Sequence, residues 1–214
     1  FIEVLMLNSY RMSEFYSISK HNISTCNILK DSDALNICLE SCAIDCAITS
    51  PPYVNAVDYP RTHQLELYWL GLESGSLTPL KRKHVGTEAV LKEDYQDLKL
   101  MGIGLIDAAL QKIAEADMRR SYIAYKYLQD MKQNLCEVHR VLKPGGRYVV
   151  VVGNNKIRGY LFENWKYLSL IAESIGYEIE TWFTSEVIKH FIKVTREERI
   201  NQDYIIVLRK KINE

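Results

Sequence analysis

Five consecutive residues, Thr49-Ser50-Pro51-Pro52-Tyr53, set a hydroxyl, two rigid carbonyls and an aromatic face side by side. They follow the run Ile44-Asp45-Cys46-Ala47-Ile48, whose mostly apolar character suits a parallel strand buried on both faces. The groups then stand at a strand's carboxyl end, the edge at which open α/β sheets bind ligands. Two prolines in a row restrict the backbone and keep the carbonyls aimed, which is preorganisation rather than acid–base work. Taken for local structure alone, the same stretch would be a polar turn closing a strand.

Other candidates flank this stretch. Asn55, Asp58 and Tyr59 follow closely enough to hold a ligand or the loop itself. Arg61, His63 and Glu66 come next; His63 and Glu66 share one helix face, which would line a site or simply meet solvent. Lys81-Arg82-Lys83-His84 is the densest positive cluster in the chain. Such a run either contacts phosphates, with a salt-sensitive contribution, or forms a solvated loop. Asn154 and Asn155 end a valine-rich run and would stand on the same edge. No metal is expected, because Cys42 and Cys46 have no histidine within the short range a zinc site uses.

These groups need elements to position them. Apolar spacing across Phe1–Ser19 (Ile2, Leu5, Met6, Tyr10, Phe15, Tyr16) predicts a helix, and Ile23–Cys26 is β-prone. After the strand Ile44–Thr49, Arg61–Leu72 reads as an amphipathic helix with Leu65, Tyr68, Trp69 and Leu72 on one side. Ser74–Glu88 carries Gly, Ser and Pro and predicts an exposed loop. From about Leu105 to Val141 the helical period runs on as one helix or two joined by a kink. Lys143-Pro144-Gly145-Gly146 ends it, and Tyr148–Val152 is a strand. A helix from about Phe162 to Ser174, capped by Gly176, precedes strands at Tyr177–Phe183 and Asp203–Arg209. Ser185–Asn201, between those two strands, reads as irregular or helical. The order is that of a doubly wound α/β sheet, mostly parallel with an antiparallel last strand.

Composition sets outer limits. A chain of 214 residues with 47% hydrophobic content can bury a full core and fits one domain. A formal net charge of +0 means that any basic footprint for nucleic acid is local rather than protein-wide. The five cysteines include no Cys-x-x-Cys pair and read as free thiols of a reducing cytoplasm. No apolar run approaches the roughly 18 residues of a membrane span, and no basic-then-apolar leader opens the chain. The expectation is a cytoplasmic protein with no membrane partner.

A second motif gives the first its context. Glu137-Val138-His139-Arg140-Val141-Leu142-Lys143-Pro144-Gly145-Gly146 before a valine-rich strand is typical of class I S-adenosylmethionine-dependent methyltransferases. Together with Thr-Ser-Pro-Pro-Tyr upstream, it resembles the DNA amino-methyltransferases of the Asn/Asp/Ser-Pro-Pro-Tyr/Phe type. The resemblance runs from about Ser24 to the C-terminus, and Asn55–Tyr59 and Lys83–Glu88 share in it. It implies methyl transfer from S-adenosylmethionine to an exocyclic amino nitrogen of a DNA base, with cytosine N4 favoured over adenine N6. Ser50 and the Pro51 carbonyl would accept the amino hydrogens, Pro52 would stiffen the loop, and Tyr53 would stack on a base taken out of the helix. Asn55, Asp58, Tyr59, Arg61, Lys81, Arg82, Lys83 and Asn154 would contact the nucleic acid. Structured RNA is the alternative substrate, and a catalytically silent interaction subunit is the non-enzymatic alternative.

The donor half is expected to be incomplete. Families of this type carry a Gly-rich loop after one strand and an acid after the next. Met101-Gly102-Ile103-Gly104 is the nearest match, but no strand precedes it, so it reads as a helix start. By resemblance Asn27, where relatives often carry an acid, would lie near the adenine, with Thr49 and Ser50 also on the cofactor side. The chain then reads as the C-terminal part of one catalytic domain, 1–214, with a helical insertion at about 61–141. The missing loop would come from a segment upstream of Phe1 or from a second polypeptide, unless cofactor binding has been lost.

Overall fold

The structure, a computed structural model, describes residues 2–19, 25–29, 32–54, 58–186 and 202–212. It divides into two compact units, Phe1–Ser32 and Asp33–Glu214. In the first, α1 (Ile2–Ser19) is the helix the periodicity predicts, and none of its side chains is buried. The β-prone piece Ile23–Cys26 lies partly outside the described residues, and residues 25–29 form no strand.

The second unit is built on a four-stranded sheet. Its strands are β1 (Ile44–Thr49), β2 (Leu142–Gly153), β5 (Tyr177–Glu186) and β6 (Gln202–Lys210), in the order β1-β2-β6-β5. β1 runs parallel to β2, while β6 is antiparallel to both β2 and β5. Three strands therefore share one direction and the last in sequence opposes them, as expected.

The core lies on one face of this sheet. Tyr148, Val150 and Val152 alternate inward from β2 and meet Ile206 and Leu208 of β6, the period-two pattern of a strand with one well-covered face. Against them pack α5 (Gly104–Ala116), α6 (Met118–Val141) and α7 (Asn164–Ile175). The buried stripe of α6 includes Ile123, Tyr127, Leu128, Met131, Leu135 and Val138. The Tyr148 hydroxyl donates to Asn134 Oδ1 at 2.6 Å, and that of Tyr177 donates to the Leu135 carbonyl at 3.0 Å. Two hydroxyls that would be costly unpaired are thereby satisfied inside the core.

The long helical region is two helices, broken at Asp117. Its extended backbone (φ −161°) ends α5, and its carboxylate accepts from the Arg120 amide at 3.0 Å to start α6, the ordinary use of Asp as an N-cap. Gly176, at φ +117°, ends α7 as predicted. The Lys-Pro-Gly-Gly turn is a bulge inside β2. From Leu142 to Arg147 the chain takes five steps while β1 takes two, from Ile44 to Cys46.

Three expectations change and one element is new. β1, expected to be buried on both faces, has no buried residue, and its Ile48 is 76% exposed. The single helix over Arg61–Leu72 is two short ones, α2 (Tyr59–Thr62) and α3 (Gln64–Trp69), interrupted at His63, whose φ/ψ of −100°/21° is not helical. Its apolar stripe is not covered among the described residues: Leu65 is 70% and Trp69 82% exposed. Ser74–Glu88 is not all loop, since Thr78–Lys83 forms α4 with Pro79 in its first turn and Leu77 buried before it. Finally, Asn155–Ile157 (β3) and Tyr160–Phe162 (β4) make a small hairpin that periodicity does not signal. Its turn residues Arg158 and Gly159, at φ 52° and 80°, fit the left-handed two-residue turn such hairpins favour.

Candidate active site

The Ser-Pro-Pro-Tyr loop leaves the carboxyl end of β1. Thr49, half-buried, still pairs with Val150; Ser50 is exposed, Pro51 buried, and Pro52 and Tyr53 half-buried. Val54 closes the loop at 0% exposure as part of the core. The sequence therefore anchors the loop at both ends and leaves Ser50 as its exposed residue.

Three contacts hold the loop's shape. Asn155 Nδ2 donates to the Val54 carbonyl at 2.8 Å in a buried setting. Gly86, at φ +79°, brings a turn so close that a Cβ there would lie 3.6 Å from both Pro52 Cβ and the Tyr53 carbonyl oxygen. The Tyr53 hydroxyl donates to Asp203 Oδ1 at 2.7 Å, across 150 residues of sequence. Burial and then the Asp203 carboxylate push the Tyr53 phenol well above its ordinary value, with the Ser50 hydroxyl acting weakly the other way. The phenol therefore keeps its proton and works as a donor, not as a base.

A second cluster braces the following segment. Asp58 caps α2 by accepting from the Arg61 amide at 3.1 Å and pairs with Lys81 of α4 at 2.7 Å. Burial works to raise the Asp58 carboxyl, but Lys81 and the Arg61 amide outweigh it and hold the group below the ordinary carboxylate range. The His84 ring lies 5.2 Å from that of Tyr59, and burial pushes its imidazole down against the opposing pull of Asp58.

Most residues singled out from sequence thus fall on two neighbouring parts of one loop system. Ser50–Tyr53 form the rigid corner; Asp58, Tyr59, Lys81 and His84 form the brace. Lys81 is spent on Asp58, whereas Arg82 and Lys83 are exposed, as is Arg61. Asn55 lies outside the described residues. Asn154 stands at the end of β2 with a buried Oδ1 that has no partner among the described residues, and its neighbour Asn155 holds the loop. Asn27 is exposed in the Phe1–Ser32 unit. Sequence reasoning missed Asp203 and Gly86. A lone acid at the start of a strand carries no local signal, whereas the glycine within His84-Val85-Gly86-Thr87 does mark a tight approach.

The residues present fit an acceptor base better than a methyl donor. An exposed hydroxyl beside a fixed aromatic ring suits a planar amine. Among the described residues no strand precedes a Gly-rich loop; Gly104 opens α5, and a Cβ on Gly102 or Gly104 would meet open space, so nothing there cradles a ligand closely.

Comparisons with known proteins give one family match and several similar chains. Residues 44–214 match the family model described as DNA methylase. The type II methyltransferase M.AvaI of Nostoc sp. is 29% identical over 150 residues, covering 64% of this chain and 31% of that protein. For the type II methyltransferase M.BsoBI of Geobacillus stearothermophilus the figures are 28% over 184 residues, 73% and 36%. The chain spans about a third of the length of these curated relatives. Among solved structures, a Thermus thermophilus protein assigned as a DNA modification methylase, complexed with S-adenosyl-L-methionine, is similar at 18% identity and TM-score 0.45. That match covers 86% of this chain and 55% of the other.

Proposed function

This chain belongs to the DNA methylase family, and on that premise we propose that it forms the base-binding half of a DNA amino-methyltransferase. The reaction is transfer of a methyl group from S-adenosylmethionine to an exocyclic amino nitrogen, cytosine N4 before adenine N6. The observation that carries this reading is the Ser50–Tyr53 corner itself, an exposed serine and a tethered ring on a proline-stiffened loop at a strand's carboxyl end.

The chemistry asks little else of the protein. A base amino nitrogen is a poor nucleophile because its lone pair is delocalised into the ring. Acceptors at Ser50 Oγ and the Pro51 carbonyl draw its two hydrogens into hydrogen bonds and favour the pyramidal, reactive form. Tyr53 stacks on the extruded base and fixes its plane, so the contribution is orientation and electrostatics rather than a covalent step. S-adenosylmethionine, when bound, supplies an electrophilic methyl on a sulfonium. Arg82 and Lys83, which are exposed, would meet backbone phosphates.

The donor half, on this reading, comes from a further segment or a second polypeptide. The support is β1, which pairs on one side only among the described residues and exposes Ile48 by 76%, unlike a parallel strand in the interior of a sheet. Residues 1–214 are then part of one catalytic domain.

The test is methyl transfer from labelled S-adenosylmethionine to unmethylated plasmid DNA and to structured RNA, by this chain together with the segment or polypeptide that supplies the donor half, with the product nucleosides separated. We expect DNA to be labelled, as N4-methylcytosine. Ser50→Ala should lower the rate about 10²–10³-fold, the usual cost of removing one preorganised polar group, and Tyr53→Ala should abolish transfer while both variants stay folded. Undiminished transfer by both variants would sink the assignment.

A further inference from the structure

The hydrogen bond between Tyr53 and Asp203 links two places that the chemistry above does not connect. Tyr53 follows β1, near the start of the second unit. Asp203 is the second residue of β6, near its end, and the sheet brings them together. In the register Asp203 lies opposite Gly153, the last residue of β2, and opposite Ser185 of β5. That places the carboxylate at the same edge of the sheet as the Ser-Pro-Pro-Tyr corner. The 2.7 Å contact from a neutral phenol to a carboxylate oxygen has the short, charge-assisted geometry that makes such bonds stronger than neutral ones.

The tyrosine needs such a tether. The prolines fix the backbone up to Pro52, but they leave the two side-chain torsions of Tyr53 free, and its ring is only half-buried. A ring used as a stacking platform must already stand in the right plane when the base arrives, or the ordering cost falls on binding. The neighbours that grip the loop act on its backbone: Asn155 on the Val54 carbonyl and the Gly86 turn on Pro52 and the Tyr53 carbonyl. Two side chains meet the phenol hydroxyl at the far end of the ring: Ser50, on the same loop, and Asp203, whose 2.7 Å bond ties the ring to β6.

We propose that Asp203 is a positioning residue that fixes the plane of the Tyr53 ring through the phenol hydroxyl, so that the target base stacks on a preset surface. The proposal rests on Tyr53 being the base platform. It explains why a tyrosine stands at a position where stacking alone would be served equally by phenylalanine. It also couples β6 to the reaction, although β6 contributes no group to the base.

Two measurements test it. In the first, 3-fluorotyrosine is placed at position 53 of the full chain and its fluorine resonance is recorded. Asp203→Asn, which keeps an acceptor oxygen, should leave the resonance close to that of the parent; Asp203→Ala should shift and broaden it. In the second, with the donor half supplied, steady-state methyl transfer to plasmid DNA is compared for Tyr53→Phe, Asp203→Ala and the double variant. Each single change should lower kcat about tenfold, the size of one lost hydrogen bond at the transition state, with KM for DNA altered less than about twofold. The double variant should be no worse than either single one, because both remove the same contact. An unchanged fluorine resonance in Asp203→Ala, or losses that multiply in the double variant, overturns the proposal. If the parent chain, supplied with the segment or polypeptide that carries the donor half, binds S-adenosylmethionine and still transfers no methyl group, the base-platform reading falls, and the fluorine arm still decides whether Asp203 holds the ring.

Discussion

Asp58 shows how much a single side chain does in this loop system. It caps α2, pairs with Lys81 and, through the helices these residues belong to, ties the segment after the active corner to α4. Its folded pKa lies below the ordinary carboxylate value, so its contribution to stability is present above that ordinary range and is lost as the pH falls through the lower folded value. Lys81→Met should therefore be less stable than the parent near neutrality, and the gap should close in acid. Urea midpoints across a pH series measure this, and a gap independent of pH would contradict it. At this scale the sequence is legible where function is local. Ser50, Pro51, Pro52 and Tyr53 are adjacent, so the motif that carries the family resemblance can be read directly from the sequence. Asp203 is not legible, because its partner is defined by strand order rather than by spacing.

Among the elements, β2 carries the most specific instruction. In sequence its Pro-Gly-Gly turn reads as a stop between helix and strand; folded, it is a bulge that lets β1 approach. A Cβ on Gly146 would lie 2.9 Å from the Lys143 carbonyl oxygen and 3.0 Å from that of Asp45. Both are backbone atoms that cannot swing aside. Gly146→Ala should thus destabilise the fold by about 1–3 kcal/mol, as overpacking does, with a lower Tm by calorimetry; an unchanged Tm would mean that the β1–β2 junction yields. The strands Tyr148–Val152, Tyr177–Phe183 and Asp203–Arg209 are legible from β-branched runs and alternation, and α7 from its periodicity and Gly176. The break at Asp117 shows in sequence only as a kink, since one Asp in an apolar-periodic run does not declare whether it caps or merely faces solvent. The hairpin Asn155–Phe162 escapes because three-residue strands are too short for a period to emerge. The stripe on Arg61–Leu72 predicts burial, and periodicity cannot tell whether a partner is present.

At the scale of the whole molecule, the sheet order β1-β2-β6-β5 explains why the Ser-Pro-Pro-Tyr corner, Asp203 and the end of β2 meet at one edge: β1 and β2 run parallel, and antiparallel β6 begins where they finish. Among the described residues no helix is long and apolar enough to cross a membrane. The one-sided pairing of β1 has a practical side as well. Unpaired strand backbone beside an exposed isoleucine is a template for adhesion to any similar edge. The chain expressed alone should therefore self-associate as its concentration rises, through strand-to-strand contact rather than through unfolding. Ile48→Lys, which puts a charge on that rim, should keep it monodisperse by light scattering at concentrations where the parent forms larger species. The handling of this protein at the bench would then be governed by the same strand that leads into the proposed site.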